Sequence, residues 1–410
     1  MIVLTLNCGS SSVKYSVFNT KTQQVLARGV VDRIGLPRSF IQYETLSRQI
    51  RREVKSENHK AAIHHVLDLL VSPIDGILRN FAEVEAVAHR VVHGGEHFVD
   101  SVLIDQVVEK VIEELEVLAP LHNPHNLQGI RAAKDVLPAV PHVAVFDTAF
   151  HQTISDFVYR YAIPLKWYSD YGVRRYGFHG TSHYYVSRRA MALLGESVEG
   201  SRIITLHLGN GSSATAVKDG KSIDTSMGLT PLEGLIMGTR SGDMDPGAVL
   251  FMIRAGNLSH NEVDNILNRK SGMFGITGTM SDLRDIEKKA VEGDENALLA
   301  LKMSAYRIRK YIGAYYVALG GLDAIVFTAG IGENSPFFRS LVLRNLEFMD
   351  VELDEDLNSK AVGGYRESLI STTNSKIKIF VIPTNEELVL AQEIEKAAKQ
   401  WKEKEKSFFK

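Results

Sequence analysis

The chain has 410 residues, 44% hydrophobic and 23% charged, the make-up of a globular protein long enough for two domains. A net charge of -2 gives no basic field for nucleic acid, and the single cysteine, Cys8, excludes an internal disulfide framework and a cysteine-built zinc site. No apolar run reaches membrane-spanning length and no secretory pattern opens the chain, so the expectation is a cytoplasmic protein with no membrane and no nucleic-acid partner.

The opening reads as three strands, 2–7, 13–19 and 24–33. The first ends in Asn7-Cys8-Gly9-Ser10-Ser11-Ser12, with Lys14 close behind. Backbone N–H groups and hydroxyls in such a turn can approach an anion, and Lys14 adds a point charge. Glycine and serine also dominate turns for conformational reasons alone, so this stretch by itself leaves both readings open. Cys8 reads as a small buried residue rather than a nucleophile. The charged stretch 47–60 leads into a helical pattern near 57–71. "VEAVAHRVVHGGEHF" is a strand running into a glycine turn and carries Arg90. Helical patterns follow at 105–117 and 124–136, the second with Asn123 as N-cap and Pro124 at its first position. "HVAVFDTAFH" is a short strand ending at Asp147, where open α/β sheets place ligands.

Six histidines, His89, His93, His122, His125, His179 and His183, sit near glycine turns or helix starts. His179 and His183 have the spacing of a metal pair, but Gly180 between them argues against a helix there; His179 as a donor to an anion fits better.

Residues 203–217, "IITLHLGNGSSATAV", resemble 2–17, and 323–333, "DAIVFTAGIGE", resemble 85–95. The chain therefore reads as an internal duplication of one α/β unit, two lobes facing a shared cleft, with long helices at 294–320 and 385–403. Three strand-end turns, 7–14, 207–213 and 329–335, are candidate phosphate cradles, in a chain without a GxxxxGK[ST] loop. Arg240 lies in the glycine-rich "GLIMGTRSGDMDPG", and arginine forks match carboxylate and phosphoryl oxygens. Glu386 follows "FVIPTN"; capping of the last helix by Thr384 or Asn385, with Glu386 and Glu387 at its positive end, explains that stretch equally well.

The motifs "NCGSSSVKY", "HRVVHGGEHF", "HNPHN", "FDTAFH", "RRYGFHGTSH", "HLGNGSS", "MGTRSGDMDPG", "AGIGENS" and "PTNEE" occur in this order in acetate kinases, and the resemblance covers nearly the whole chain. It implies an α/β, duplicated two-domain actin-like (ribonuclease H-like) ATPase fold with a central cleft. An N-terminal domain, 1–150, would be completed by the C-terminal helix at about 385–410. A C-terminal nucleotide-binding and dimerisation domain would span 151–384. The implied reaction is reversible transfer of the ATP γ-phosphoryl group to acetate, giving acetyl phosphate and ADP, with Mg²⁺ (or Mn²⁺), in a homodimer.

By the same resemblance Asn7 and Glu386 are the magnesium-site residues, and Ser10, Ser12 and Lys14 face the ATP phosphates. Arg90 holds acetate, Asp147 is the active-site acid, and His179 and Arg240 stabilise the transition state. Val92, Leu121, Phe178 and Pro231 surround the acetate methyl. His207, Leu208, Gly209, Asn210 and Gly211 form one nucleotide segment, Asp282, Leu283 and Arg284 a second, and Gly330, Ile331, Gly332, Glu333 and Asn334 a third.

The chemistry agrees independently. Acetate is already an anion at neutral pH, so the difficulty is bringing it to a polyanionic phosphate, and a cation-rich site answers it. A propionate or butyrate kinase is the rival within the family, because one methylene is weakly discriminated. A non-catalytic ATP-binding module of the actin or Hsp70 type is the rival outside it; two arginines at an acyl site argue against that.

Overall fold

The structure, a computed structural model, describes residues 1–120, 122–195, 197–363 and 366–408. It forms two compact units, Met1–Ala149 with Asn385–Lys410, and Phe150–Thr384.

The first unit is built on eight strands: β1 (Ile2–Cys8), β2 (Ser12–Asn19), β3 (Gln24–Asp32), β4 (Phe40–Thr45), β5 (Gln49–Glu53), β6 (Ala86–Val91), β7 (Val102–Leu103) and β8 (His142–Phe146). Their order is β5-β4-β3-β2-β1-β6-β8-β7. β1 to β5 form an antiparallel meander; β6 runs parallel to β1, and β8 parallel to β6. Alternation along β1 divides its side chains between two cores. Leu4 and Leu6 pack with Val66, Leu67 and Leu70 of the helix His59–Leu70 and with Ala133 of the helix Asn123–Val136. Val3 joins Ala88 and Val145 against Leu390 and Ile394 of the final helix, Glu386–Phe408. β6 and β8 are buried almost throughout because helices cover both of their faces.

The second unit carries β9 (Arg202–Leu208), β10 (Ser212–Lys218), β11 (Lys221–Thr225), β12 (Ala324–Thr328), β13 (Ser368–Leu369) and β14 (Lys378–Val381), ordered β11-β10-β9-β12-β14-β13. Three antiparallel strands followed by two parallel ones, β11-β10-β9-β12-β14, repeat the pattern of β3-β2-β1-β6-β8. Both repeats read in the sequence fall on matching strands, β1 with β9 and β6 with β12. Ile204, Leu206 and Phe327 face the long helix Glu295–Leu319, and Ile203 and Val326 face the helix Gly180–Leu194.

Three local expectations are corrected. The charged stretch after residue 47 is not merely a lead-in to a helix: it contains β5, an edge strand whose arginines and glutamate point to water. Asn123 is not an N-cap; His122 holds that position, and buried Asn123 clamps the His93 backbone, accepting its N–H at 3.1 Å and donating to its carbonyl at 3.0 Å. Gly180 does not interrupt a helix but begins one, with His179 as the N-cap.

Candidate active site

In the first unit three parallel strands deliver polar residues at their carboxyl ends. Asn7 is the penultimate residue of β1 and pairs directly with Lys14 on β2. The turn between the two strands is closed by the Gly9 N–H donating to the Ser12 carbonyl at 2.8 Å, with Ser10 exposed at its tip. Arg90 lies near the end of β6, and Asp147 is the first residue after β8, its N–H donating to the Val91 carbonyl.

These positions set up a two-pronged ion pair. Arg90 Nε donates to Asp147 Oδ1 and Nη2 to Asp147 Oδ2, both at 2.8 Å. Arg90 Nη1 lies 3.7 Å from Glu386 Oε2 at the start of the final helix. The Asp147 charge raises the Arg90 pKa, with a smaller contribution from Glu386. Burial raises the Glu386 pKa against the opposing charge of Arg90. Asn385 does cap this helix, its Oδ1 accepting the Leu388 N–H at 3.0 Å. The capping explanation is therefore met, and Glu386 still reaches the arginine. Val92 falls one residue beyond β6, and its N–H donates to Asn126 Oδ1 at 3.1 Å. Strand alternation therefore does not fix its direction relative to Arg90. Leu121 lies outside the described residues. Cys8 is buried and its thiol is pushed up to about 12 by desolvation, as an inert packing residue requires.

In the second unit the equivalent strand ends carry His207, Leu208 and the hairpin turn Gly209-Asn210-Gly211 after β9, and residues 329–334 after β12. His179 is held in the left-handed region, φ 57°, ahead of its helix, and its ring stacks on His207 with centroids 4.1 Å apart. Gly211 marks where two donor candidates meet: a Cβ there would lie 3.5 Å from Arg240 Nη1 and 3.6 Å from His179 Nε2. Arg240 Nη1 donates to the Pro231 carbonyl at 3.3 Å and lies 3.8 Å from Met237 Sδ. Among the described residues no carboxylate lies within ion-pair distance of Arg240, and burial lowers its pKa. Its loop is fixed by backbone pairing: Gly238 N–H donates to the Asn210 carbonyl at 3.0 Å, and a side chain at Gly238 would collide with Asn210 Oδ1. Phe178 is buried, and its carbonyl accepts from His151 Nε2 at 3.0 Å.

A cavity of about 550 Å³ draws together most of the three expected nucleotide segments. It is lined by Gly209 and Asn210, by Asp282, Leu283 and Arg284, and by Gly330, Ile331 and Asn334. Gly332 is buried, and Glu333 Oε1 accepts the N–H groups of Ala329 at 2.8 Å and Thr384 at 3.0 Å. Ser335, also in the lining, closes the candidate turn 329–335, whereas sequence reasoning missed Ser281 and Glu287. Ser281 stands next to a recognised segment, and Glu287 gave no signal.

Other histidines make contacts within the first unit. His89 Nε2 lies 2.9 Å from His142 Nδ1 in the core, His93 Nδ1 accepts the Gly95 N–H, and His125 stacks on His59. His179 and His183 do not form a metal pair; both rings reach the hydroxyl of Ser213. Among the described residues no group of three His, Cys, Asp or Glu side chains is arranged to hold a metal.

The model of the acetokinase family matches residues 2–392. This chain belongs to the acetokinase family. It is 54% identical over 395 residues to an acetate kinase of Dictyoglomus thermophilum, covering 96% of this chain and 98% of that one. Among solved structures it is similar to Porphyromonas gingivalis acetate kinase, TM-score 0.93 at 46% identity over 97% of this chain and 99% of that chain. It is also similar to a propionate kinase of Francisella tularensis, TM-score 0.89 at 41% identity over 96% and 98%. The fold is accordingly the duplicated actin-like α/β fold of the sugar-kinase superfamily. No helix among the described residues of this acetokinase is long and apolar enough to cross a membrane.

Proposed function

We propose that this acetokinase transfers the γ-phosphoryl group of ATP reversibly to acetate, forming acetyl phosphate and ADP. The observation that carries the reading is Arg240: a largely buried guanidinium with no carboxylate partner among the described residues, converging with His179 on Gly211. A buried cation of this kind is costly until an anion neutralises it. A nucleotide-binding module without phosphoryl transfer has no use for such a pair at the strand-end turn.

In this reading an acetate oxygen forms the new bond to phosphorus as the bond from phosphorus to the β,γ-bridging oxygen breaks, and ADP leaves with that electron pair. Acetate enters as the carboxylate, so no residue has to remove a proton. Arg90 receives the carboxylate through the edge of its guanidinium that faces away from Asp147, which occupies Nε and one Nη2 hydrogen. Asp147 is then the positioning carboxylate that fixes the fork of Arg90. Val92, Leu121, Phe178 and Pro231 enclose the methyl group. His179 and Arg240 donate to the equatorial oxygens of the phosphoryl group, whose charge is greatest in flight. Lys14, Ser10 and Ser12 hold the phosphate chain. His207 to Gly211, Asp282 to Arg284 and Gly330 to Asn334 hold the nucleoside.

The donor set fits a hard cation. Two carboxylates, Asp147 and Glu386, share Arg90, which leaves oxygen ligands for an ion that takes one or two carboxylates and fills its shell with water and phosphate. Asn7 and Glu386 would hold Mg²⁺, with Mn²⁺ as a substitute, and the ion would neutralise phosphate charge. The same reading places the protein in the cytoplasm as a homodimer, with Phe150–Thr384 as the nucleotide-binding and dimerisation domain and Met1–Ala149 plus the last helix as the other.

Purified protein with ATP, Mg²⁺ and acetate should accumulate an acyl phosphate that hydroxylamine traps as acetohydroxamate. Hydroxamate no higher than in the reaction lacking acetate would refute the proposal.

A further inference from the structure

His179 is held on its far side by a chain of three side chains that the reaction itself does not require. His179 Nδ1 lies 2.9 Å from Ser213 Oγ, Ser213 Oγ lies 2.7 Å from His183 Nε2, and His183 Nδ1 lies 2.7 Å from Thr205 Oγ1. Ser213, His183 and Thr205 are all fully buried. Thr205 projects from β9 on the face that carries Ile203, toward the helix holding His183, and Ser213 stands opposite His207 on β10.

Each hydroxyl has one proton and each neutral imidazole has one, so with Ser213 donating to one of the two rings the chain can be ordered in two ways. In the first, Thr205 donates to His183 Nδ1, His183 Nε2–H donates to Ser213, and Ser213 donates to His179 Nδ1. Every short contact is then a hydrogen bond, and the proton of neutral His179 sits on Nε2. In the second, every donor is reversed and the Thr205 hydroxyl must turn to the Thr215 carbonyl, 3.5 Å away and at the limit of a hydrogen bond. His183 is neutral in either case: burial lowers its pKa well below the ordinary value, and the neighbouring His151 and His207 lower it further. The first order leaves no short contact wasted and no buried hydroxyl poorly paired.

We infer that Thr205, His183 and Ser213 are positioning residues that fix neutral His179 as its Nε2–H tautomer. Nε2 is the nitrogen that lies beside Gly211 and Arg240. The chain thus aims a proton at the place where Arg240 also donates, without requiring imidazolium. That economy suits the surroundings, because the groups facing His179 include His207 stacked at 4.1 Å, Arg240 across Gly211, and His183 at 6.5 Å on its own helix. A second cation among them would be repelled. The inference rests on the proposed phosphoryl transfer for its purpose, but the tautomer is a property of the free protein.

The test uses the full chain labelled with ¹⁵N-histidine, read by long-range ¹H–¹⁵N correlation at about pH 8, with His179→Gln assigning the resonance. Wild-type protein should show His179 as the Nε2–H tautomer, and Ser213→Ala should shift it toward Nδ1–H. The kcat of Ser213→Ala divided by that of wild type should fall about tenfold at alkaline pH. That is less than the 10²–10³ for outright loss of an oxyanion donor. The ratio should recover toward acid pH, where imidazolium carries both protons. Thr205→Val should move both readouts in the same direction and stands in if Ser213→Ala does not fold. An Nδ1–H wild type, or a ratio equally depressed at every pH, would overturn the inference. The tautomer shift without any acetate-dependent turnover would overturn the proposed reaction and support the chain.

Discussion

Replacing Arg240 by alanine is expected to lower kcat by about 10²–10⁵, the range for oxyanion donors and arginine fingers, while the KM for ATP changes far less. The guanidinium is largely removed from water, and among the described residues its partners are one carbonyl at 3.3 Å and a thioether at 3.8 Å. Neither offsets a full charge, so the group is poised for an anion, and the phosphoryl group in flight carries more charge on its equatorial oxygens than ground-state ATP offers. The loop should survive the substitution because its backbone holds it. Met237 N–H donates to the Arg240 carbonyl and Ser271 N–H to the Thr239 carbonyl. Asp243, three residues on, accepts the Gly234 N–H at 2.7 Å and the Tyr311 hydroxyl at 2.8 Å. Steady-state kinetics decide it: near-wild-type kcat would reduce Arg240 to a tie for Pro231.

The second large effect is on the Arg90–Asp147 pair. Arg90→Ala should destabilise the protein by about 3 kcal/mol, the lower end of the range for breaking a buried pair, and raise the KM for acetate. The lower end applies because the Arg90 side chain keeps 25% of its exposure, whereas Asp147 keeps 5%. Removing the guanidinium leaves the Asp147 charge buried beside Glu386 with no cation in contact. Removing both groups relieves that penalty, so Arg90→Ala with Asp147→Ala should cost clearly less than the sum of the single changes. Urea unfolding of the four proteins measures the coupling. Strict additivity would mean that the two prongs seen at 2.8 Å contribute nothing in solution.

Elements with strong local signals were legible. β1 and β9 are apolar runs closed by Gly/Ser turns, and their likeness exposed the duplication that the two sheets repeat strand for strand. β5 was not legible, because an edge strand buries little and its alternation is masked by arginine and glutamate; β4 was passed over although Ile41 and Tyr43 alternate into the core. Asn123 looked like a cap because it precedes a proline; its partner, the His93 backbone, lies 30 residues away and leaves no local trace. Val92 lies one residue past the end of β6, where no alternation sets its direction. In the site, the strand-end residues Asn7, Arg90 and Asp147 announced themselves, since a polar residue ending an apolar run is a visible break in pattern. The bond between Arg90 and Asp147 depends on residues brought together by the sheet, and the chain behind His179 on the packing of a helix against the sheet. Ser213 in particular reads as one more serine of a turn.

The most direct measurement is kcat/KM for acetate, propionate and butyrate with saturating MgATP. Acetate should be the best substrate, with propionate lower by the 10- to 200-fold that one methylene is worth in a closed apolar pocket, and butyrate lower again. Propionate or butyrate equal to or better than acetate would contradict the proposed activity.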